Sequence, residues 1–339
     1  MSSRPTVSVL LPLYNGSQYL SAAVSSILQQ TFTDFELLLL DDGSTDNGAH
    51  LLSSFKDPRA RYFRSEHHLG VSKQLNIGLD EAMGPYLARM DADDVADPTR
   101  FQKQLSFLER HPEIGICGSY AQLFDDRGNR EVWRYPTSPD EVHASVLFRA
   151  PFLHPGVMIR RALFQEVCGL RYDESLFVAQ DYMLWHQLLK HTKGANLPEC
   201  LTRYRISSAQ LTRAKAEVKA KEGQYVRLSI LRDLGIEPSA SEQTLHMMVL
   251  GDNWPKTAEF FKSAAEWLEA LYEANERSEV FPQRAFAKML AKHFFFQCQC
   301  SSRRSFRGDR VYARLKFNTA YSPRLSEKLR LTAKALLKP

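Results

Sequence analysis

Through the first two hundred positions, apolar residues fall in short strand-length runs separated by stretches with helical spacing. Residues 7–13 (Val-Ser-Val-Leu-Leu-Pro-Leu) and 35–40 (Phe-Glu-Leu-Leu-Leu-Leu) are nearly continuous hydrophobic runs, the pattern of strands covered on both faces. Between them Leu20, Val24, Ile27 and Leu28 recur on one helical face from Ser17 to Gln30. Strand, helix, strand at this spacing predicts a βαβ unit with a parallel pair. The alternation continues with a helix over about 45–55, a strand at 61–64, a helix over 71–83 and a strand at 86–90. A helix over 98–110 precedes a predicted hairpin, 114–124 with 130–134, turning at Gly128-Asn129. A strand at 157–160, a helix over about 180–190 and a strand near 200–205 follow. The fold class is therefore α/β with a doubly wound mixed sheet. From about 208 onward only 3.6-residue periods remain, at 213–234, 241–250, 255–275 and 282–298, with basic segments after 305. The expected division is an α/β domain over 1–215 and a helical extension over 216–339.

Doubly wound sheets bind ligands beyond the carboxyl ends of their strands. Those ends here read Pro12-Leu-Tyr-Asn15, Asp41-Asp-Gly-Ser44 and Asp91-Ala-Asp93. The run Tyr86 to Asp94 ends in three carboxylates within four positions, and their mutual repulsion is relieved by a hard divalent cation, Mn²⁺ or Mg²⁺. The alternative is a solvated turn ahead of a helix start at Asp97-Pro98. That serves for Asp97, while Asp91 and Asp93 fit the cation. Asp42, closing a buried strand, can accept a hydrogen bond from a base N–H. Gly43 permits the turn, Ser44 caps the next helix, and Tyr14 can offer an aromatic face to the same base. No G-x-G-x-x-G and no G-x-x-x-x-G-K-[ST] occurs, so a bound phosphate needs the metal, with Lys73 either assisting or standing as a solvated helix lysine. Asp181 opens an apolar helix in Phe177 to Trp185, as a dipole-favoured acid or as a general base.

Composition narrows the class without deciding it. The chain has 339 residues, 44% apolar and 24% charged, as ordinary globular proteins do. Its five cysteines are odd in number and lack framework spacing, which predicts free thiols in a reducing compartment. Cys298, Cys300 and His293 lack the second pair of a zinc site and read as helix residues. No run of 18 apolar residues predicts a membrane span, and residues 7–14 read as a first strand rather than a signal-peptide core. The net charge of +5 is uneven: residues 301–339 carry eleven Lys/Arg against two Asp/Glu, or +9, leaving −4 on the rest. A basic helical tail is either a solvated face or a surface for an anionic partner: membrane lipid, lipid-linked diphosphate or nucleic acid.

Five motifs in this order and spacing carry a resemblance: Pro12-Leu-Tyr-Asn15, Asp41-Asp-Gly-Ser44, Asn76-x-Gly78, Met90-Asp-Ala-Asp-Asp94 and Gln180-Asp181-Tyr-x-Leu-Trp185. Over about residues 5–206 the chain resembles the family 2 inverting glycosyltransferases of bacterial cell-surface polysaccharide type. The resemblance implies a Rossmann-like, A-type nucleotide-diphospho-sugar transferase (GT-A) fold with a helical extension. It implies that Pro12, Tyr14, Asp42, Lys73, Asp91 and Ala92 line a nucleotide-sugar pocket. Asp93, with Asp91, would hold Mn²⁺ or Mg²⁺, Asp181 would be the catalytic base, and His154 would stand near the acceptor or in the core. The expected donor is a nucleoside-diphosphate sugar, usually a UDP-sugar, and the acceptor a hydroxyl of a glycan or lipid-linked glycan. No nucleic acid partner is expected. The expected setting is cytoplasmic, with the basic tail peripheral on the inner face of the membrane. Two departures stand out: Gln180 replaces the usual acid before the base, and Ser207 replaces a histidine after Tyr204-Arg205. The Gln-x-x-Arg-Trp element of processive synthases is absent, which implies single additions.

Two rival readings follow from the same residues. Asp91-Ala-Asp-Asp-Val95 satisfies the D-x-D-x-[TV] motif of haloacid-dehalogenase-type phosphatases, in which Asp91 would be a nucleophile. The chain could also be a non-catalytic scaffold of the same fold. Asp42, Asp91, Asp93 and Asp181 together favour the transferase.

Overall fold

The computed structural model describes residues 4–48, 51, 55–166, 169–206, 216–251, 254–301 and 308–323. Part of the expected helix over 45–55 (residues 49, 50 and 52–54), the Ser207 departure and most of the basic tail lie outside them. The chain divides into two compact units, residues 1–142 with 149–223, and residues 143–148 with 224–339.

The strands are β1 (Val7–Leu13), β2 (Phe35–Asp41), β3 (Ala60–Arg64), β4 (Tyr86–Arg89), β5 (Val95–Ala96), β6 (Ile114–Asp125), β7 (Gly128–Trp133), β8 (Met158–Arg160) and β9 (Lys193–Arg205). Among the described residues they form one sheet, ordered β3-β2-β1-β4-β8-β6-β9-β5, with β7 paired to β6. β1 to β4 are parallel. β8 runs antiparallel between β4 and β6, and β6 is parallel to β9. The sheet is therefore mixed, as the hydrophobic pattern implies. Every residue of β1 and β2 is buried. On one face, Leu20, Val24 and Ile27 of α1 (Ser17–Leu28) share a core with Val9, Leu11, Leu37 and Leu39 of these strands. α2 (Val71–Glu81) packs against the sheet at Gly78. A Cβ there would lie 2.7 Å from Leu40 Cδ1 and 3.0 Å from Leu10 Cδ2, so any larger residue would push these buried leucines aside.

The chain runs outward from β1 through β2 to β3, then returns to β4 on the other side of β1, making β1/β4 a topological switch point. Pro12 marks it. β4 pairs with β1 only over Val7–Leu10, and Leu10 O accepts from Met90 N. Pro12 has the same parity as Leu10, so its missing N–H faces a side where the ladder has already ended. The two strand ends thus part at the edge where the acids lie.

Further helices are α3 (Arg100–Arg110), α4 (Pro139–Ser145), α5 (Ala162–Glu166) and α6 (Gln180–Leu188), of which α3, α5 and α6 lie in the first unit. Unit boundaries fall inside α4 and inside α7 (Ala216–Asp233). β5 is two residues long, too short for a periodicity signal, and β9 begins at Lys193 rather than near 200. In the second unit α8 (Ala240–Leu250), α9 (Ala258–Ser278), α10 (Gln283–Ser301) and α11 (Gly308–Tyr312) follow, with no strand after Arg205 among the described residues. Its core centres on Trp254, with ring centroids 5.2 Å from Phe261 and 5.4 Å from Phe294. A Ser239–Glu242 capping box opens α8. Cys117, Cys200 and Cys298 are free thiols. Among the described residues no helix is long and apolar enough to cross a membrane.

Candidate active site

The carboxyl edge of β1 and β2 is tied together by side chains that take up backbone donors. Asn15 adopts a left-handed conformation (φ 49°), and its Oδ1 accepts from the backbone N–H groups of Thr45 and Asp46. Asp41 is turned inward, accepting Ser44 N at 2.9 Å and the Tyr62 hydroxyl at 2.7 Å. Burial and then Asp41 push the Tyr62 phenol up to about 12. Its neighbour Asp42 faces the other way. Asp42 Oδ1 accepts from Leu69 N at 2.7 Å and Gln74 Nε2 at 2.9 Å, while Oδ2 accepts from Gly70 N at 2.8 Å. Asp42 therefore anchors the loop that leads into α2. That loop passes over Gly43 (φ 74°), where a Cβ would meet the His67 backbone at 3.0 Å. Tyr14 is 46% exposed at the same edge. The adjacent Asp pair is thus divided, Asp41 to the scaffold and Asp42 to the loop.

The acidic turn is pinned at both ends. It leaves β4 and enters β5, which pairs with β9 through Val95–Arg203 and Ala96–Thr202. Arg205, at the end of β9, donates its backbone N–H to Asp94 Oδ1 at 2.8 Å and its Nε–H to the Asp93 carbonyl at 3.0 Å. Its guanidinium lies 3.8 Å over the Tyr19 ring. Ala92 stands 3.8 Å from where a Gly16 Cβ would be, which brings the turn beside the β1–α1 connection. Beneath the turn, buried Arg89 pairs with Asp91. Burial pulls the Arg89 guanidinium down, but the charge of Asp91 outweighs it and its affinity for the proton is raised. Asp91, Asp93 and Asp94 bring carboxylate oxygens within 4.8 Å of one another. Asp93 and Asp94 are both held above the usual carboxylate range, first by burial and then by the charge of Asp91. Buried Asp94 Oδ2 has no hydrogen-bond partner. Three hard oxygen donors, crowded negative charge and an unsatisfied buried oxygen fit a divalent cation.

Asp181 lies in the first turn of α6. Ala179 cannot cap that helix, and Glu222 of α7 does so instead. Its carboxylate accepts from the N–H groups of Phe177, Val178 and Ala179 at 2.8–2.9 Å. Burial pushes the Asp181 carboxyl up to about 6, against the lowering effect of the Tyr182 N–H and of Arg89, with Asp91 adding to the rise. Asp181 and the acidic turn therefore share one electrostatic environment. Lys73, by contrast, is half exposed and pairs with Glu174 at 3.3 Å. His154 is buried, its Nε2 2.9 Å from the Tyr172 hydroxyl and its ring edge-on to Trp185. Burial and then Arg89 hold it well below its ordinary value, hence neutral. Asn76 locks the segment below it by exchanging hydrogen bonds with the Tyr172 backbone at 3.0 Å.

Tyr14, Asp42, Asp91, Asp93 and Asp181, expected as site residues from the sequence, lie around this edge. Arg89, Arg205 and Glu222 are not among the expected site residues. Arg89 leaves a signal, a cation inside the apolar run of β4, and Arg205 stands only as half of the Tyr204-Arg205 pair.

The profile of Glycosyl transferase family 2 matches residues 8–168. The amylovoran biosynthesis glycosyltransferase AmsE of Erwinia amylovora is 32% identical over 235 residues, covering 66% of this chain and 85% of AmsE. The chain belongs to glycosyl transferase family 2. Solved structures agree at the level of fold. TarS residues 1–349 from S. aureus, in complex with UDP-GlcNAc, align with a TM-score of 0.59 and 17% identity over 93% of this chain and 90% of that one. The mannosyltransferase PcManGT from Pyrobaculum calidifontis, in complex with GDP-Man and Mn²⁺, aligns with a TM-score of 0.54 and 14% identity over 99% and 88%. This family 2 glycosyltransferase thus has the GT-A architecture with C-terminal helices, and the phosphatase and scaffold readings fall away.

Proposed function

We propose that this family 2 enzyme transfers one sugar from a nucleoside-diphosphate sugar to a hydroxyl of a glycan or lipid-linked acceptor, with inversion at C1 and dependence on a divalent cation. The observation that carries the proposal is the convergence on one sheet edge of the Tyr14–Asp42 pocket, the Asp91–Asp93–Asp94 cluster and Asp181 with a carboxyl near 6. The structural relatives that hold UDP-GlcNAc, or GDP-Man with Mn²⁺, support the donor class and the cation, and AmsE supports a polysaccharide setting.

In this reading Tyr14 and Asp42 hold the base, with Pro12 and Ala92 lining the same edge. Asp93 and Asp91 hold the cation, Mn²⁺ or Mg²⁺. Bound there, it would offset charge on the departing diphosphate. Lys73 adds a cation if it leaves Glu174. Asp181 takes the proton from the acceptor hydroxyl as that oxygen attacks C1 opposite the diphosphate. A group titrating near 6 is ionised at neutral pH yet basic enough to accept the proton. A single displacement turns an α-linked donor into a β-glycoside. His154 is buried and neutral against Tyr172 and Trp185, so a role toward the acceptor would be indirect.

The test is transfer from a UDP-sugar or GDP-sugar, followed by nucleoside diphosphate release and by the anomeric coupling in the product. Asp93→Ala is expected to abolish cation-dependent transfer, with a loss of at least ~10²-fold. Wild-type transfer rates in Asp93→Ala, or an α-linked product from an α-linked donor, would sink the proposal.

A further inference from the structure

Tyr14 is not bare. The imidazole of His68 stacks on it with ring centroids 3.9 Å apart and planes 26° from parallel. The same imidazole places Nδ1 2.7 Å from Asp42 Oδ2. A flat nitrogen heterocycle therefore lies on the aromatic face and donates to the carboxylate that the proposed function assigns to the donor's base. Among the described residues His68 has no other partner, and its side chain is 53% exposed.

From this geometry we infer that His68 occupies the seat of the base, and that the base replacing it carries a ring N–H beside a carbonyl, as uracil, thymine and guanine do. The inference rests on the nucleotide-sugar reading of this pocket. Asp42 is acceptor-only when ionised. Three of its four donors, Leu69 N, Gly70 N and Gln74 Nε2, set the entry to α2 and cannot leave without unpicking it. Only the His68 position can be exchanged. An incoming group must then stack on Tyr14 and present an N–H to Asp42 Oδ2. The pairing-edge ring nitrogens of cytosine and adenine carry lone pairs, and facing a carboxylate they repel it and leave it unpaired.

Calorimetric titration with UDP, GDP, CDP and ADP, each with Mn²⁺, tests both halves. UDP or GDP is expected to bind wild type at least ~10-fold tighter than CDP and ADP. His68→Ala changes an exposed side chain and is expected to tighten the accepted nucleotide ~3–10-fold, because the base no longer displaces a stacked, hydrogen-bonded ring. CDP or ADP binding as tightly as the best ligand, or unchanged or weaker binding in His68→Ala, overturns the inference and leaves the pocket reading standing. Wild type that binds none of the four overturns the pocket reading, and the inference with it.

Discussion

Asp181 is costly to the fold in the form that the proposed chemistry needs. Burial raises its carboxyl from the ordinary 3.8 to about 6, so the folded protein resists its ionisation. Between those values the folded state binds more protons than the unfolded one. Stability from this group is thus complete below about 4 and is lost as the pH rises through about 6. Asp181→Asn mimics the neutral form. It is expected to melt higher than wild type above pH 6, by about 1–3 kcal/mol, with the gain gone near pH 3. The same change is expected to cut kcat by ~10²–10⁴ while nucleoside diphosphate binding stays intact. Wild-type kcat/KM is expected to rise with pH to a plateau above about 6, and a cation held beside Asp91 draws that limb lower. Melting curves and a pH–rate profile of the two proteins check all three outcomes. Equal kcat, or equal melting at pH 7, would remove Asp181 from the role of base. At this scale, what was legible in the chain was the kind of acid and its place at the end of an element. Arg205 and His68 were not legible in these roles, because each acts by reaching a residue distant in sequence, and one-dimensional spacing carries no such distance.

The element that presents Asp181 depends on another element for its start. α6 begins at Gln180, and Ala179 at its N-cap position offers no side-chain cap. The buried carboxylate of Glu222, one turn and more into α7, holds the three N–H groups that precede the helix. Glu222→Ala takes the shared acceptor from these N–H groups, of which that of Ala179 is buried, an expected loss of about 1–3 kcal/mol. The sharper expectation is kinetic. A shift of the first turn moves Asp181 relative to C1 but leaves the Tyr14–Asp42 edge alone, so kcat should fall ~10–10²-fold with nucleotide affinity unchanged. Glu222→Gln keeps one acceptor oxygen and should recover part of the loss. A uniform fall in kcat and nucleotide affinity, or none in kcat, would show that the cap does not position the base. The strands flanking the site were readable because β1 and β2 are buried throughout and alternate with helical periods. β5 was not, since two residues hold no period and its pairing to β9 is fixed by contacts about a hundred residues apart. The boundary expected at 215 came from the end of strand signals. The unit that holds Asp181 runs to residue 223 and so includes the cap at Glu222.

Over the whole molecule, charge is the property that composition shows and the fold does not explain. Residues 301–339 carry +9 and the rest −4. Arg310 and Arg314 are exposed. An anionic bilayer would attract the tail and repel the body, which selects one end of the chain for contact without any apolar insertion. With about 1 kcal/mol per basic residue near an anionic surface, replacing Arg303, Arg304 and Arg307 by alanine should cost about 3 kcal/mol, or ~100-fold in partitioning onto phosphatidylglycerol vesicles at low salt. Raising the salt to about 0.5 M should weaken wild type toward the variant, since the screening length then falls well below 10 Å. Neutral vesicles should bind neither. Transfer to a water-soluble acceptor should be the same in both proteins, because these residues lie far along the chain from Asp42, Asp93 and Asp181. Transfer to an acceptor embedded in anionic vesicles should drop in the variant alone. Equal sedimentation of the two proteins with anionic vesicles would leave the tail a solvated helical face. A loss on neutral vesicles as well would point to apolar contact rather than charge. Donor chemistry at the sheet edge and docking by the tail, each a proposal, would be separable in this way, since one would respond to substitutions at Asp93 and Asp181 and the other to ionic strength.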